Sequence, residues 1–242
     1  CPQPHRQIHT YPQKGRHIHL TEPYLNHIKS ETFLSRLGLP AGTELKLSLL
    51  GQGEYNLNYS FVHPITGQKL VLRINKGSQM HLEDQIGYEY SALCDLAPSG
   101  RTPKPLFCDG DMGILVMEWL PGRALIYENK DDMQAAAGIL ADIHSTPVPK
   151  GTKLLRPAFP AMAIYEECLD MAQHYLSWDK AGQKQLKLIN ALISEIGKLP
   201  MKEPSSAPLC MVNTELNSGN FLINPHGQSY LVDWEKPLLS EP

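Results

Sequence analysis

The chain has 242 residues, of which 42% are hydrophobic and 19% charged, a composition typical of a globular protein with one large or two small domains. Its net charge of −3 gives no indication of nucleic-acid binding. Apolar runs such as residues 113–117 are too short to cross a bilayer, and residues 1–30 lack the hydrophobic stretch of a signal peptide.

The cysteines predict a reducing environment. Their number, five, is odd, and no two form a Cys-x-x-Cys pair, which favours reduced thiols in a cytoplasmic protein. Cys94, Cys108 and Cys168 fall in apolar patterns and are predicted to be small core residues.

Residues 1–44 are predicted to form a lead segment, with five histidines in the first 30 residues and little hydrophobic periodicity. His17 and His19 would share one face of a strand, but the sequence offers no companion ligands, so we do not expect a metal site. A short helix is predicted from Ser30 to Leu37, because Gly38 would end it.

A group of strands follows this segment. Three are predicted, from Leu45 to Leu50, from Leu57 to Val62 and from Lys69 to Ile74, joined by short turns. Gly51 and Gly53 lie between the first two. Hairpins often use glycine, so this turn alone does not identify a function.

The next segment predicts a helix and two more strands. The helix runs from Met80 to Ala97, with apolar residues at helical spacing, and the strands lie near Lys104 to Cys108 and Ile114 to Trp119. A Pro-Gly turn ends the last strand near residue 122.

The C-terminal half is predicted to be mainly helical. Its first helix begins at Asp131-Asp132 and should bury one face, formed by Met133, Ala136, Ala137, Leu140 and Ile143. Two further helices lie near Ala161 to Trp178 and Gln183 to Leu199. The helix near Ala161 to Trp178 carries three acidic residues, Glu166, Glu167 and Asp170. Their side chains would face either water or a cationic substrate.

The most informative segment begins at Cys210 and closes at Tyr230–Glu235. It predicts a loop, a short strand, a turn and a second strand that delivers Asp233. This layout lets Glu215, Asn220 and Asp233 converge on one metal-bound phosphate. Each piece could singly be an ordinary polar turn, but their order along the chain argues against that alternative.

This segment resembles the catalytic loop and metal-binding strand of the aminoglycoside phosphotransferase and choline kinase family of small-molecule kinases. The family loop usually reads His-x-Asp-Leu-x-x-x-Asn, and the same frame here holds Asn213, Glu215, Leu216 and Asn220. The resemblance implies Glu215 and Asn213 as catalytic residues, with Glu215 at the position of the base. It implies Asn220 and Asp233 as ligands of Mg²⁺.

The N-terminal half resembles the nucleotide-binding lobe of the same family. The resemblance implies that the residues that bind ATP are Gly51, Gly53, Arg73, Glu89, Met117, Glu118 and Trp119. Within this set, Arg73 is expected to hold phosphates and to pair with Glu89, with Glu83 as the alternative partner. Residues 117–122 correspond to the hinge that binds adenine.

The resemblance covers residues 45–242 and implies an α+β, two-lobed, protein-kinase-like fold. A small antiparallel-sheet lobe at 45–120 would precede a larger helical lobe at 121–242. Relatives continue for further helices where this chain ends, and Cys1 stands in place of an initiator Met, so we expect the chain to be incomplete.

The implied function is transfer of the γ-phosphate of ATP to a hydroxyl of a small molecule, with Mg²⁺ as cofactor. An acidic stretch favours a cationic acceptor, since residues 81–180 hold 15 Asp and Glu against 8 Lys and Arg, although solvated helix faces would give the same pattern. Glu215 stands where the family has Asp. The alternative is therefore a nucleotide-binding module without transfer activity, with a regulatory or scaffold role.

Overall fold

The computed structural model describes residues 20–78, 80–202 and 207–241. One compact unit ends at Leu45 and a second begins at Lys46. His17 and His19 lie outside the described residues. The division of the second unit into lobes at 45–120 and 121–242 stays a prediction.

Residues 20–45, the described part of the first unit, form two short helices, α1 (Glu22–Lys29) and α2 (Glu31–Arg36). The Ser30 hydroxyl accepts a hydrogen bond from the backbone N–H of Phe33 and so caps α2, which is the helix that the sequence predicted. The sequence did not predict α1. Ile28 is its one buried residue, so it carries little of the periodicity by which an amphipathic helix is detected.

The second unit begins with a five-stranded antiparallel sheet in the order β1-β2-β3-β5-β4. The strands are β1 (Ser48–Gln52), β2 (Asn56–Val62), β3 (Lys69–Asn75), β4 (Pro105–Asp109) and β5 (Ile114–Glu118). All five were predicted, with ends that shift by up to three residues. Side chains alternate along the central strand β3, so Leu72 and Arg73 face opposite sides of the sheet, and both are buried.

One helix, α3 (Gln85–Leu96), packs against this sheet through β4 and β5. It begins five residues later than predicted. The Asp84 carboxylate caps it by accepting from the Gly87 N–H at 2.8 Å, and the Ser78 hydroxyl accepts from the Leu82 N–H at 3.0 Å. These side-chain bonds compete with helical hydrogen bonding, and residues 80–84 are not helical.

The described residues in the rest of the unit form three helices and five short strands. The helices are α4 (Lys130–His144), α5 (Pro160–Leu176) and α6 (Gln183–Ile196), and the strands are β6 (Arg123–Ala124), β7 (Cys210–Asn213), β8 (Phe221–Ile223), β9 (Tyr230–Leu231) and β10 (Pro237–Ser240). Strands β6, β8 and β9 form one antiparallel sheet, and β7 pairs with β10. The sequence did not predict β6, β7 or β10, because strands of two to four residues show too little alternation.

The buried face of α4 differs from the prediction. Asp132, Ala136, Ile139 and Ile143 are buried, whereas Met133 is exposed. Asp132 faces inward because Arg123 donates two hydrogen bonds to its carboxylate and the Ile126 N–H donates another. A periodicity rule that treats every Asp as exposed therefore shifts the predicted face, and Ala136 and Ile143 are the predicted residues that are buried.

The cysteine prediction was wrong for two of its three residues. Cys94 and Cys168 are exposed, Cys108 is half-buried, and the buried thiol is that of Cys210. No disulfide joins the four cysteines of the described segments. No helix among the described residues has the length and apolar character that a membrane crossing requires.

Candidate active site

One open cavity, of about 390 Å³, is lined by the glycine hairpin and by three carboxylates. The hairpin contributes residues 51–56, and the carboxylates belong to Glu215, Asp233 and Glu235. Asn58 of β2 completes the lining. The cavity thus brings together the predicted ATP-binding glycines, Gly51 and Gly53, with the predicted catalytic acid Glu215 and the predicted metal ligand Asp233.

The two glycines of this hairpin are not required by the fold. Neither adopts a left-handed φ, a Cβ at Gly51 would meet no described atom within 4 Å, and the nearest contact of one at Gly53 is the Asn56 carbonyl at 3.9 Å. The Gly53 N–H donates to that carbonyl and closes the turn. Because Gly51 and Gly53 have no side chains, the backbone at these two residues is open toward the cavity, where a ligand could approach it closely.

The three carboxylates form the one metal-compatible cluster of His, Cys, Asp and Glu within the described segments. One ligand oxygen from each of Glu215, Asp233 and Glu235 lies within 4.8 Å of the others. Burial, together with the nearby Asp233 charge, raises the pKa of Glu235 to about 6. Hard oxygen donors in this number suit Mg²⁺, so the residues present fit the cofactor that the sequence predicted.

A buried arginine links this cluster to the small sheet and to α3. Arg73 Nη1 lies 2.6 Å from Glu89 Oε1 and 3.1 Å from Asp233 Oδ1, and its Nε donates to Asn58 Oδ1 at 3.0 Å. Burial alone would lower the pKa of Arg73, but the charges of Glu89 and Asp233 outweigh it and raise that pKa. The predicted ion pair with Glu89 is therefore confirmed, and Glu83, the alternative, is not the partner.

Asn213 joins the predicted catalytic loop to the segment after β9 that carries Asp233. Its amide oxygen accepts from the Glu215 N–H at 2.8 Å, and its amide nitrogen donates to the Asp233 carbonyl at 2.9 Å. Asn213 is buried and does not line the cavity. Its contacts are those of a residue that positions Glu215 and Asp233, rather than of one that touches a substrate.

Asn220 holds the same loop from its other end. Its amide nitrogen donates to the Glu215 carbonyl at 2.8 Å, and its own carbonyl accepts from the Val232 N–H at 2.8 Å. The side-chain nitrogen is thus engaged, so the amide oxygen is the atom that would serve a metal. Asn220 is buried and lies outside the cavity lining, and its role as a ligand stays a prediction.

Asp233 adopts a left-handed backbone conformation, with φ of 65°. Such a conformation is uncommon for a residue other than glycine and costs free energy. The bonds from Arg73 and Asn213 hold it, and the next residue, Trp234, is fully buried with its indole N–H donating to the Leu231 carbonyl at 3.0 Å. Strain held in place at an acidic residue is characteristic of functional sites.

The predicted hinge does not line this cavity. Met117 is buried in the core, the Trp119 ring receives Lys69 Nζ at 3.9 Å from its centroid, and the N–H groups of Glu118 and Trp119 donate to backbone carbonyls. The assignment of adenine binding to Met117, Glu118 and Trp119 stays a prediction.

Sequence reasoning missed several polar residues of the site. Lys236 Nζ lies 2.9 Å from Glu215 Oε1, the Asn56 amide donates to Glu235 Oε2, and Gln85 Nε2 donates to the Glu235 carbonyl at 2.6 Å. One signal was available: Asn56 and Asn58 alternate on β2 and therefore share one face of the sheet, where buried polar residues are unusual.

Comparisons with known proteins identify the family of the chain. The model of the phosphotransferase enzyme family matches residues 46–237. Among curated proteins, none is significantly similar to the chain.

Three solved structures show the similarity of fold. A macrolide 2'-phosphotransferase type I has 14% identity and a TM-score of 0.63, with 92% of this chain and 74% of that one covered. The choline kinase LicA from Streptococcus pneumoniae has 21% identity and a TM-score of 0.58, with 82% and 66% covered. The ternary complex of streptomycin, ATP and APH(2'')-IIa has 13% identity and a TM-score of 0.59, with 93% and 73% covered.

The chain thus spans 66–74% of the length of these three structures. Their similarity establishes a protein-kinase-like α+β fold, and the family model covers well over half of the chain. The chain belongs to the phosphotransferase enzyme family.

Proposed function

We propose that this protein transfers the γ-phosphate of Mg²⁺-ATP to a hydroxyl group of a small molecule. The observation that carries the proposal is a cavity in which the hairpin with Gly51 and Gly53 faces the carboxylates of Glu215, Asp233 and Glu235. One similar structure holds ATP and streptomycin, and others are named as macrolide phosphotransferase and choline kinase.

The glycine hairpin and Arg73 would position the nucleotide. Gly51 and Gly53 leave room for phosphates beside the backbone. Arg73 is fixed between Glu89 and Asp233, so its positive charge lies beside the metal-binding carboxylates. Phosphoryl transfer depends mainly on such positioning and charge neutralisation.

Asp233 and Glu235 would hold Mg²⁺, with the Asn220 amide oxygen as a further ligand. When bound, the ion supplies positive charge against the phosphate oxygens. The protein's own contribution is to hold several carboxylates within 4.8 Å of one another despite their mutual repulsion.

Glu215 would accept a hydrogen bond from the acceptor hydroxyl and orient it toward the phosphate. An acid at this position orients the nucleophile more than it removes a proton early. The acidic cavity supports the expectation of a cationic acceptor, such as an amino sugar or amino alcohol. A cytoplasmic location, predicted from the free cysteines, belongs to the same proposal.

One observation favours the alternative, a nucleotide-binding module without transfer activity. The Glu215 carboxylate is already paired with Lys236 at 2.9 Å, which could withhold it from an acceptor. The two functions differ in turnover rather than in nucleotide binding.

ADP formation from Mg²⁺-ATP, measured with a panel of aminoglycosides, amino alcohols and sugars, tests the proposal. We expect acceptor-dependent ADP formation that Glu215→Gln and Asp233→Asn each reduce at least a hundredfold. Glu195→Gln, which alters an acidic side chain that is 71% exposed, is the matched control and should leave the rate unchanged. Binding of ATP without turnover on any acceptor would support the module instead.

A further inference from the structure

We propose that Lys236 is a positioning residue for Glu215, and that their ion pair allows a glutamate to work at a position where the family uses aspartate. The inference rests on the proposed function. It assigns a role to a lysine that follows directly after the Asp-Trp-Glu segment.

The Lys236–Glu215 pair is shielded from water. Lys236 Nζ lies 2.9 Å from Glu215 Oε1, and the two side chains are 12% and 30% exposed. By contrast, the Lys198–Glu195 pair of similar length has side chains that are 64% and 71% exposed. Exposed pairs are weak because water screens them, so the first pair should constrain its side chains far more than the second.

Two further contacts fix Lys236 beside the loop. The Thr214 hydroxyl donates to the Lys236 carbonyl at 2.8 Å, which ties its backbone to the residue before Glu215. Glu167 of α5 places Oε1 3.8 Å from the ammonium. The lysine is therefore held at both its backbone and its charged end.

The backbone of Glu215 is also fixed, by Asn213 at its N–H and by Asn220 at its carbonyl. An aspartate in this frame would withdraw its carboxylate by about 1.5 Å, the length of one carbon–carbon bond. The 2.9 Å contact with Lys236 would then open beyond ion-pair range. Side-chain length at residue 215 and the lysine at 236 are thus matched to each other.

The pair has a consequence for the reaction. A carboxylate has two oxygens, so an ion pair at Oε1 leaves Oε2 to accept a hydrogen bond from the acceptor hydroxyl. Lys236 then holds the acid in one orientation rather than withholding it. With this role for Lys236, its ion pair with Glu215 no longer favours an inactive module.

The experiment is a double-mutant cycle on ADP formation from Mg²⁺-ATP, with the acceptor that the panel identifies. Glu215→Asp and Lys236→Met should each lower kcat roughly ten- to a hundredfold, while KM for ATP changes less than about twofold. Lys236 acts through the Glu215 carboxylate, and Glu215→Asp has already broken their contact. The double variant should therefore be no slower than Glu215→Asp, and Lys236→Arg should recover part of the rate. Lys198→Met, which removes the exposed pair, should behave as wild type.

Losses that multiply in the double variant, or full activity in Lys236→Met, would overturn the inference. If the wild type forms no ADP with any acceptor, the proposed function fails and the catalytic role of the lysine fails with it. Urea unfolding of Glu215→Gln, Lys236→Met and their combination then measures what the ion pair contributes to the free energy of unfolding. It also shows that each variant folds. Non-additive changes would retain the pair as a structural contact, and additive changes would reject it.

Discussion

Replacing Arg73 with methionine would show whether the buried charge network holds the site together. The change removes the cation beside Glu89, whose side chain is 2% exposed, and the donor to Asn58. Removing one partner of a buried ion pair costs about 3–5 kcal/mol, because the remaining charge is left uncompensated. We therefore expect Arg73→Met to lower the free energy of unfolding by about 3–5 kcal/mol.

Two companion variants separate the charge from the geometry. Adding Glu89→Gln to Arg73→Met removes the stranded carboxylate and should restore part of the loss. Arg73→Lys keeps the charge, but a single ammonium cannot reproduce the forked contacts with Asn58, Glu89 and Asp233. It should cost about 1.5–3 kcal/mol, the value of one hydrogen bond to a charged group.

Urea unfolding monitored by circular dichroism gives the free energies. Lys198→Met is the control, since its exposed pair should contribute no more than about 1 kcal/mol. If Arg73→Met unfolds within about 1 kcal/mol of the wild type, the network does not stabilise the site and the reasoning is wrong.

Three further predictions concern pH and glycine. Because the pKa of Glu235 is raised to about 6, the metal-free folded state binds its proton more tightly than the unfolded state, and stability from this group falls as pH rises from about 4.5 to 6. Glu235→Gln should therefore raise the free energy of unfolding at pH 7 but not at pH 4, as measured by urea unfolding without metal. Equal changes at the two pH values would contradict this prediction. Gly122→Ala should lower the melting temperature, since its Cβ would lie 2.8 Å from Leu222 Cβ, whereas Gly138→Ala in α4 has open space and should raise it. Gly51→Val should leave the melting temperature unchanged but weaken ATP binding at least tenfold, as measured by calorimetry. An unchanged affinity would show that the hairpin does not bind the nucleotide.

The sequence predicted the parts of the fold that depend on regular patterns. Strand β2 alternates polar and apolar residues and β5 is mostly apolar, so these strands and β3 between them were found with small errors at their ends. The Arg73–Glu89 pair was predicted because a motif fixes both positions in the chain. Asp233 and Glu215 meet in the cavity for the same reason.

Other features depend on contacts between distant segments, which a pattern does not contain. Asp132 is buried because Arg123 and the Ile126 N–H satisfy its carboxylate, and this changed the predicted face of α4. Lys236 reaches Glu215 only because β10 brings residue 236 beside the loop after β7. Neither contact could be inferred from local composition.

Nucleotide binding that requires both the metal and Asp233 is the central claim, and thermal unfolding measures it directly. We predict that ATP at millimolar concentration raises the melting temperature only when Mg²⁺ is present, and that Asp233→Ala abolishes the rise, because ligand that binds the folded state alone stabilises it. An unchanged melting temperature of the folded wild-type protein with Mg²⁺-ATP, or an equal rise in Asp233→Ala, would contradict the account.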